Sequence, residues 1–298
     1  MNRLRAYRRV STMLAFTLFA LRMPVRLMAQ QEVVVTQITP TLLVFATSSG
    51  NVVASVGPDG ALLIGTPSAS STQSVSSAIA QHTKSLARYL VIYPESASES
   101  EGDAGWGRLG AFVAMHENAL RRFGGNVMGA PGPPQTRLAE RGVNRPSIAF
   151  SEVLAFDLNG DSIHIVHQKP GYSDADALAH FHVANLFYLG EAFPGDGYPL
   201  IDAVQGGTLE GLLDQLIWTD GNQRIVPARG KVTDGTSLKA FRDMIVTVRD
   251  RVRHMVNDGR TESQVLAAHL TADLDQQWGH GRVSPDLFVR EVYAALKR

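Results

Sequence analysis

The 298-residue chain contains no cysteine, and it carries no net charge, with 28 Lys and Arg against 28 Asp and Glu. Without cysteine it can form neither disulfide bonds nor a thiolate zinc site. Its stability must therefore come from an apolar core, and a 44% hydrophobic composition over this length is sufficient for one. A single domain is consistent with this length, because layered β-rich folds often reach about 200–250 residues undivided.

The N-terminal region has no apolar run long enough to span a bilayer, which takes about 20 residues. A short apolar run at 13–21 follows four arginines in the first nine residues and precedes the small residue Ala29. This order is typical of a bacterial signal peptide. We therefore predict that residues 1–29 are a signal peptide, that residues 30–298 form the mature domain, and that the protein is exported to the periplasm or secreted. A disordered basic tail on a cytoplasmic protein is the alternative interpretation.

Removal of the first 29 residues changes the charge balance. It takes away six arginines and no acidic residue, which leaves 22 basic against 28 acidic side chains. A mildly acidic chain is unsuited to nucleic acid, which is bound through clustered Lys and Arg. We expect no nucleic-acid partner, and no membrane span once the signal peptide is gone.

Short apolar or β-branched runs, separated by turn sequences, fill the first half of the mature chain. The first four runs predict an antiparallel meander, because Thr39-Pro40, Ser48-Ser49-Gly50 and Pro58-Asp59-Gly60 stand between them. The predicted elements of this half are strands at 33–35, 41–46, 51–56 and 61–64, a helix at 70–86, strands at 89–92 and 111–115, and a helix at 118–123.

The second half repeats this pattern. Asn159-Gly160 predicts a hairpin between its first two strands. The predicted elements are strands at 148–158, 162–168 and 177–189, a helix at 209–217, a strand at 224–226, a helix at 237–257, and amphipathic helices at 262–270 and 285–296. Two β-rich halves, each flanked by helices, predict an α/β fold built as an αββα sandwich with a helical C-terminal extension. Composition alone would support only a mixed α and β fold.

Four strings carry a resemblance to a known family. They are the hairpin at 50–64, Ala114-Met115-His116-Glu117-Asn118, the segment at 198–209 that begins Tyr198-Pro199, and the C-terminal segment at 278–288 that begins Trp278-Gly279. Together they resemble the metallo-β-lactamase-fold hydrolase superfamily, and the resemblance covers residues 33–296. It implies a fold of the metallo-β-lactamase type and a metal-dependent hydrolase with two zinc ions held by His and Asp.

At seven positions the residue that the resemblance implies is absent. In the first metal loop, histidine or aspartate is replaced at four places; further on, tyrosine replaces a histidine, glutamate replaces the bridging aspartate, and arginine replaces the last histidine. These positions are Glu95, Ala97, Glu99, Ser100, Tyr172, Glu191 and Arg229. In addition, Gly65 stands where an aspartate normally follows the opening hairpin.

The replacements are poor zinc ligands. Ala97 and Ser100 offer no competitive donor, a tyrosine must ionise from a pKa of about 10 to bind strongly, and Arg229 is a permanent cation. We therefore predict no metal site and no zinc cofactor, and we expect Arg229 to pair with Glu191, Glu95 or Glu99 in the vacant site. Without zinc to lower the pKa of water, the ordinary hydrolysis of the family should be absent.

Three hypotheses about function follow. The favoured one is a catalytically degenerate exported protein whose cleft binds an unknown small molecule or protein, or is kept for structure. The second is a divergent hydrolase with a carboxylate-based or non-zinc metal site. It would use the surviving acids Glu95, Glu99, Asp174, Asp176 and Glu191, of which Asp174 and Asp176 are the candidate residual cleft acids. The third is a working hydrolase with metal ligands that the sequence does not reveal. The sequence does not decide whether the protein is an enzyme, and the replacement of the expected metal ligands favours the absence of activity.

Two further groups of residues could bind a metal ion, although the sequence supports this less strongly. The loop acids Glu95, Glu99, Glu101 and Asp103 could hold Ca²⁺ or Mg²⁺ through oxygen ligands, although a solvated loop is the commoner interpretation of such a run. His180 and His182 share one face of a predicted strand, where exposed strand residues are more common than metal ligands.

Overall fold

The computed structural model describes residues 33–65, 69–84, 87–92, 106, 109–122, 147–217 and 222–297. Residues 31–298 form one compact unit. Three predicted segments lie outside the described residues: the signal peptide at 1–29, the acidic loop around Glu95 and the connection at 124–146. The structure does not test the predictions made for them.

The first sheet has seven strands in the order in which they occur along the chain. Its first four strands form the predicted antiparallel meander, and the last three add to it in parallel. Parallel strands need a crossover connection, and a helix provides the one between β4 and β5. The elements are β1 (Val34–Thr39), β2 (Leu42–Ala46), β3 (Asn51–Gly57), β4 (Gly60–Ile64), α1 (Ala69–His82), β5 (Ala87–Ile92), β6 (Phe112–His116), α2 (Glu117–Arg122) and β7 (Ile148–Phe150).

The second sheet has six strands in the order β13-β12-β11-β10-β9-β8. Four of its five pairings are antiparallel, and β11 and β12 are parallel. Its strands are β8 (Val153–Leu158), β9 (Asp161–His167), β10 (Ala177–Phe181), β11 (Leu186–Tyr188), β12 (Arg224–Val226) and β13 (Thr233–Asp234). The hairpin predicted from Asn159-Gly160 joins β8 to β9.

Two strand predictions were wrong. The segment 148–158 is two strands, because β7 pairs with β6 in the first sheet and β8 pairs with β9 in the second. The segment 177–189 is also two strands, β10 and β11, joined by a turn in which Asn185 has a φ of +49°. The carboxylate of Asp161 accepts the backbone N–H groups of Val183 and Ala184 at this turn. Neither break contains Gly or Pro, so the usual turn signals were missing.

Five helices follow the strands of the second half or are inserted among them. Side chains cap most of them: Thr208, Asp234, Thr261 and Ser284 each accept a backbone N–H of the first turn. The helices are α3 (Leu209–Gln215), α4 (Gly235–Asn257), α5 (Glu262–Ala267), α6 (Asp275–Trp278) and α7 (Pro285–Leu296). Two of the last three helices, α5 and α7, correspond to the helices predicted at 262–270 and 285–296, whereas α6 was not predicted. The helix α7 packs against α4. No helix within the described ranges is long and apolar enough to cross a membrane.

The buried residues form three layers of apolar contact. One cluster joins the inner faces of the two sheets and includes Val53 and Ile165. A second lies between the first sheet and α1, where Val75 and Ile79 are buried. The third lies between the second sheet and the helices α3, α4 and α7, around Phe241. The order is helix, sheet, sheet, helix, and the predicted αββα sandwich is confirmed.

Candidate functional site

Arg229 lies at the centre of an ion-pair cluster. Its Nη1 and Nη2 atoms donate to the two carboxylate oxygens of Glu191 at 2.5 and 2.9 Å, and its Nε donates to Asp196 Oδ2 at 2.8 Å. The Arg229 side chain is only 13% exposed, against 20% for Glu191 and 31% for Asp196. Glu191 is one of the three glutamates, with Glu95 and Glu99, that the sequence offered as partners of Arg229, whereas Asp196 was not among them.

The cluster joins two loops that follow neighbouring strands. Glu191 lies in the 3-10 turn Gly190–Ala192 just after β11, and Arg229 lies just after β12. Backbone hydrogen bonds hold the loops together, because the N–H groups of Ala228 and Arg229 donate to Phe193 O and Pro194 O, each at 2.9 Å. The side chain thus completes a contact that the backbone has already formed.

Asn51 and Gly195 fix the loop that carries Arg229. The Asn51 side-chain amide donates to Pro227 O and Gly230 O, both at 2.9 Å. Gly195 has a φ of +80°, and a Cβ atom there would lie 2.3 Å from Arg229 O. Only glycine allows this approach. The backbone on both sides of the cluster is therefore firmly held.

The electrostatics of the cluster favour a permanent cation. Burial acts to lower the pKa of Arg229, but the hydrogen bonds and charges of Glu191 and Asp196 outweigh it and hold that pKa above its ordinary value. A bidentate guanidinium–carboxylate pair is among the stronger protein ion pairs. A divalent cation at this point would face the positive charge of Arg229, and the arginine offers it no lone pair.

Asp176 is the buried centre of a second cluster. Its Oδ2 accepts the N–H groups of Gly171 and Tyr172 at 3.1 and 2.7 Å and the Gln215 amide at 2.8 Å. Its Oδ1 accepts both the backbone N–H and the hydroxyl of Ser173, each at 2.9 Å. Burial raises the pKa of Asp176, and these donors oppose the shift. Both oxygens are fully used in shaping the loop at 171–176.

Asp174 faces the helix α2. Its carboxylate forms an ion pair with Arg122, and its backbone oxygen accepts the side-chain amide of Asn118 at 2.7 Å and the Nε2 atom of His167 at 3.1 Å. His167 stacks on His116 with ring centroids 4.0 Å apart. Burial lowers the pKa of His116. These contacts tie the loop of the second sheet to the first sheet.

The predicted site residues therefore fall into separate groups. Glu191 and Arg229 are in contact, the backbone N–H of Tyr172 donates to the Asp176 carboxylate, and Asp174 pairs with Arg122. Glu95, Ala97, Glu99 and Ser100 lie outside the described residues. No hydrogen bond or ion pair within the described segments joins Arg229 to Asp174 or Asp176.

Gly65 and Tyr188 meet where the resemblance implies an aspartate. Gly65 has a φ of +97°, and a Cβ there would lie 2.9 Å from Asn51 O and 3.0 Å from the Tyr188 hydroxyl. The Tyr188 hydroxyl itself donates to Asn51 O at 3.3 Å. An aspartate side chain does not fit beside Tyr188, and nothing in the local sequence pointed to Tyr188 as the neighbour.

Among the residues that the structure describes, no group of three or more His, Asp or Glu side chains is arranged to hold a metal ion. The nearest to an exception is a set of histidines at the β9–β10 end of the second sheet. His182 Nε2 lies 3.0 Å from His164 Nδ1, and the His180 ring lies between those of His182 and Phe187. His180 in β10 is half-buried and its ring stacks on that of Phe187, whereas the His180–His182 and His164–His182 ring pairs are tilted and edge-on. Of the two, only the turn residue His182 has the exposed position that the sequence favoured.

No protein-family model and no curated protein sequence matches this chain. Solved structures do match. A metallo-β-lactamase from Pontibacter korlensis has 14% identity and a TM-score of 0.57 over 72% of this chain and 99% of its own. The metallo-β-lactamase DIM-1 has 12% identity and a TM-score of 0.58 over 72% of this chain and 98% of its own.

A larger neighbour covers more of the chain. A double mutant of the sec-alkyl sulfatase PisA1 has 14% identity and a TM-score of 0.65 over 88% of this chain, but over only 50% of its own. Identities this low establish a common fold and leave function open. The two packed sheets, the flanking helices and these matches agree with the resemblance noted in the sequence: the chain has the metallo-β-lactamase fold.

Proposed function

We propose that this protein is a catalytically degenerate member of the metallo-β-lactamase fold that has no zinc site. The observation that carries the proposal is the ion pair between Arg229 and Glu191, at two positions where the resemblance implies metal ligands. A guanidinium fork there satisfies Glu191 as a metal ion would, and it excludes the ion by its own charge. The cleft around it then serves binding or structure.

The second hypothesis, a divergent hydrolase, needs carboxylates that are free to act. Asp176 accepts five hydrogen bonds, Asp174 is paired with Arg122, and Glu191 is paired with Arg229. A general base must reach the proton that it removes, and a metal ligand must offer a lone pair. The described acids are engaged elsewhere, which favours the degenerate protein.

Metal analysis of the purified protein tests the proposal. The mature protein is purified without chelator, exposed to excess zinc, desalted and examined by plasma mass spectrometry. We expect less than about a tenth of an equivalent of zinc, against the two ions of an intact site. One or more tightly held equivalents would refute the proposal.

The variant Arg229→His adds a second arm to this experiment. It restores one imidazole and removes the repelling charge, yet a stable zinc site needs about four converging donors. We therefore expect this variant to bind no stoichiometric zinc either. Tight binding by the single variant would mean that the surrounding residues already form a metal site and that the assignment of the seven positions is wrong.

Activity assays separate the degenerate protein from a working hydrolase. The structural neighbours are described as metallo-β-lactamases, one of them exposed to ceftazidime, and as a sec-alkyl sulfatase. We expect no turnover of ceftazidime or of a sec-alkyl sulfate, with or without added zinc. Turnover that a chelator abolishes would establish the hydrolase instead.

Export is the second part of the proposal. It is supported by the basic start, the short apolar run at 13–21 and the small residue Ala29. Expression of the full chain in a bacterium, cell fractionation and mass determination of the product test it. We expect a periplasmic product that has lost about 29 residues, whereas an intact chain in the cytoplasm would contradict export.

A further inference from the structure

A cavity of about 720 Å³ opens beside the Arg229 loop. Its lining residues lie in the loops after β11 and β12, in the first turns of α4 and in α6. This volume is in the range that holds a small organic molecule, roughly 300–1,000 Å³. Neither Arg229 nor Glu191 is among its lining residues, so the cavity is a second feature next to the ion-pair cluster.

The walls combine an apolar side with one available charge. Phe193, Pro227 and Trp278 supply aromatic and aliphatic surface. Among the described lining residues only Asp196 and Lys231 are charged, and Asp196 is already paired with Arg229 Nε at 2.8 Å. Lys231 is exposed at the cavity and is the cation that a ligand would meet.

The neutral polar groups of the cavity are of two kinds. The N-terminus of α4 is already capped, because Asp234 Oδ1 accepts the Ser237 N–H at 3.1 Å, and the Thr233 hydroxyl donates to that of Ser237 at 2.5 Å. Thr236 and Gln277 are exposed lining residues with a hydroxyl and an amide that can orient a ligand. Because Asp234 already caps the N-terminus of α4, Lys231 is the group that can bind the charge of an anionic ligand.

From this arrangement we propose that the cavity is a binding site for a small amphiphilic organic anion, with its aromatic or aliphatic body against Phe193 and Trp278 and its anionic group on Lys231. Binding here requires no metal, so the site goes beyond the proposed loss of zinc and does not depend on it. Small-molecule sites usually combine apolar walls with placed polar groups, and this cavity has both.

The fluorescent sulfonate anilinonaphthalene sulfonate has this chemistry and serves as the probe, with binding measured by calorimetry on the folded mature protein. We expect one equivalent to bind. Lys231→Met should weaken binding about fivefold, which corresponds to the ~1 kcal/mol of a solvent-accessible pair of opposite charges. Lys231→Arg should retain it, and Lys239→Met, which removes a nearby exposed cation that does not line the cavity, should match the parent.

A blocking variant tests the location independently of charge. Ala240 is an exposed residue on α4 that lines the cavity, so Ala240→Trp adds bulk there without disturbing the core. We expect this variant to lose the probe while its thermal unfolding stays close to that of the parent. The cationic dye proflavine, similar in size, should bind at least tenfold more weakly than the sulfonate, a difference of about 1.4 kcal/mol.

Each contrary result overturns the proposal. Equal binding by Lys231→Met and the parent would remove the anion contact, and equal binding by Ala240→Trp would place the probe elsewhere. Tighter binding of proflavine than of the sulfonate would mean that the cavity selects a cation and not an anion. Because zinc content is measured separately, failure of this site leaves the degenerate-enzyme proposal standing, and the reverse also holds.

Discussion

Replacement of Arg229 by methionine should destabilise the protein more than a substitution in a surface loop usually does, because two carboxylates lose their common partner. Three hydrogen bonds of 2.5–2.9 Å are removed, from side chains that are 13–31% exposed. Breaking a buried pair costs about 3–5 kcal/mol, and an exposed one about 0.2–1 kcal/mol. For this intermediate burial we expect a loss of about 2–3 kcal/mol in the free energy of unfolding at neutral pH, measured by urea titration.

A double-mutant cycle identifies the cause of this loss, because Arg229 donates to both carboxylate oxygens of Glu191. The double variant with Glu191→Gln should show a coupling of about 1–2 kcal/mol with Arg229→Met.

Arg290 provides a matched control. It pairs with Glu262 at 3.0 Å, but the two side chains are 53% and 45% exposed. Arg290→Met should therefore cost less than about 1 kcal/mol and show little coupling. The reasoning is refuted if Arg229→Met costs no more than Arg290→Met, or if Arg229→Met shows no coupling with Glu191→Gln, because the ion pair would then not be the source of the stability.

Three further predictions concern individual residues. Burial and the neighbouring His182 and His164 lower the pKa of His180 to about 4 from an ordinary 6.5; the folded state then binds fewer protons, so stability should be lost as the pH falls from 6.5 towards 4, and His180→Gln should flatten that part of the curve in urea titrations. Burial raises the pKa of Glu291 to about 7 from an ordinary 4.5; its contribution is present below 4.5 and lost as the pH rises through 7, so Glu291→Gln should be more stable than the parent at about pH 8 and equal to it at about pH 4. Gly195→Ala should lower the free energy of unfolding by more than about 1 kcal/mol, because its Cβ would lie 2.3 Å from Arg229 O; Gly259, at a φ of +74° with no atom within 4 Å of its Cβ, is the control that carries the strain without the contact, and an equal cost at both would refute the contact.

The sequence was sufficient to predict the layers, because strand and helix periods are local and the turn signals were mostly explicit. It failed at Ser151-Glu152 and at Asn185, where the chain changes sheet or direction without Gly or Pro. Asp161 in the preceding hairpin supplies the hydrogen bonds that stabilise the second of these turns. Because the strands β9 and β10 separate Asp161 from the turn at Asn185, the sequence of the turn does not reveal this interaction.

The candidate site shows the same limit in more detail. Glu191 could be named from the sequence as one of three candidate partners of Arg229, because a buried cation needs an anion and the resemblance placed Glu95, Glu99 and Glu191 at the same site. Asp196 was missed because it lies in the Gly/Pro-rich string Pro194-Gly195-Asp196-Gly197, where an acidic residue usually marks a turn. Tyr188 was missed because it belongs to a buried apolar strand, and its hydroxyl contact with Asn51 depends on how the two sheets face one another.

Under the proposed loss of the zinc site, the ion-pair cluster explains how the fold is kept. Without a cation at this place, the carboxylates of Glu191 and Asp196 would repel one another. Arg229 keeps the connection: one side chain bonds Glu191 and Asp196 on the first loop while its backbone N–H bonds Pro194 O. Under this proposal Arg229 supplies the cross-link in place of a metal ligand, and Arg229→His alone should therefore weaken the loop without creating a zinc site.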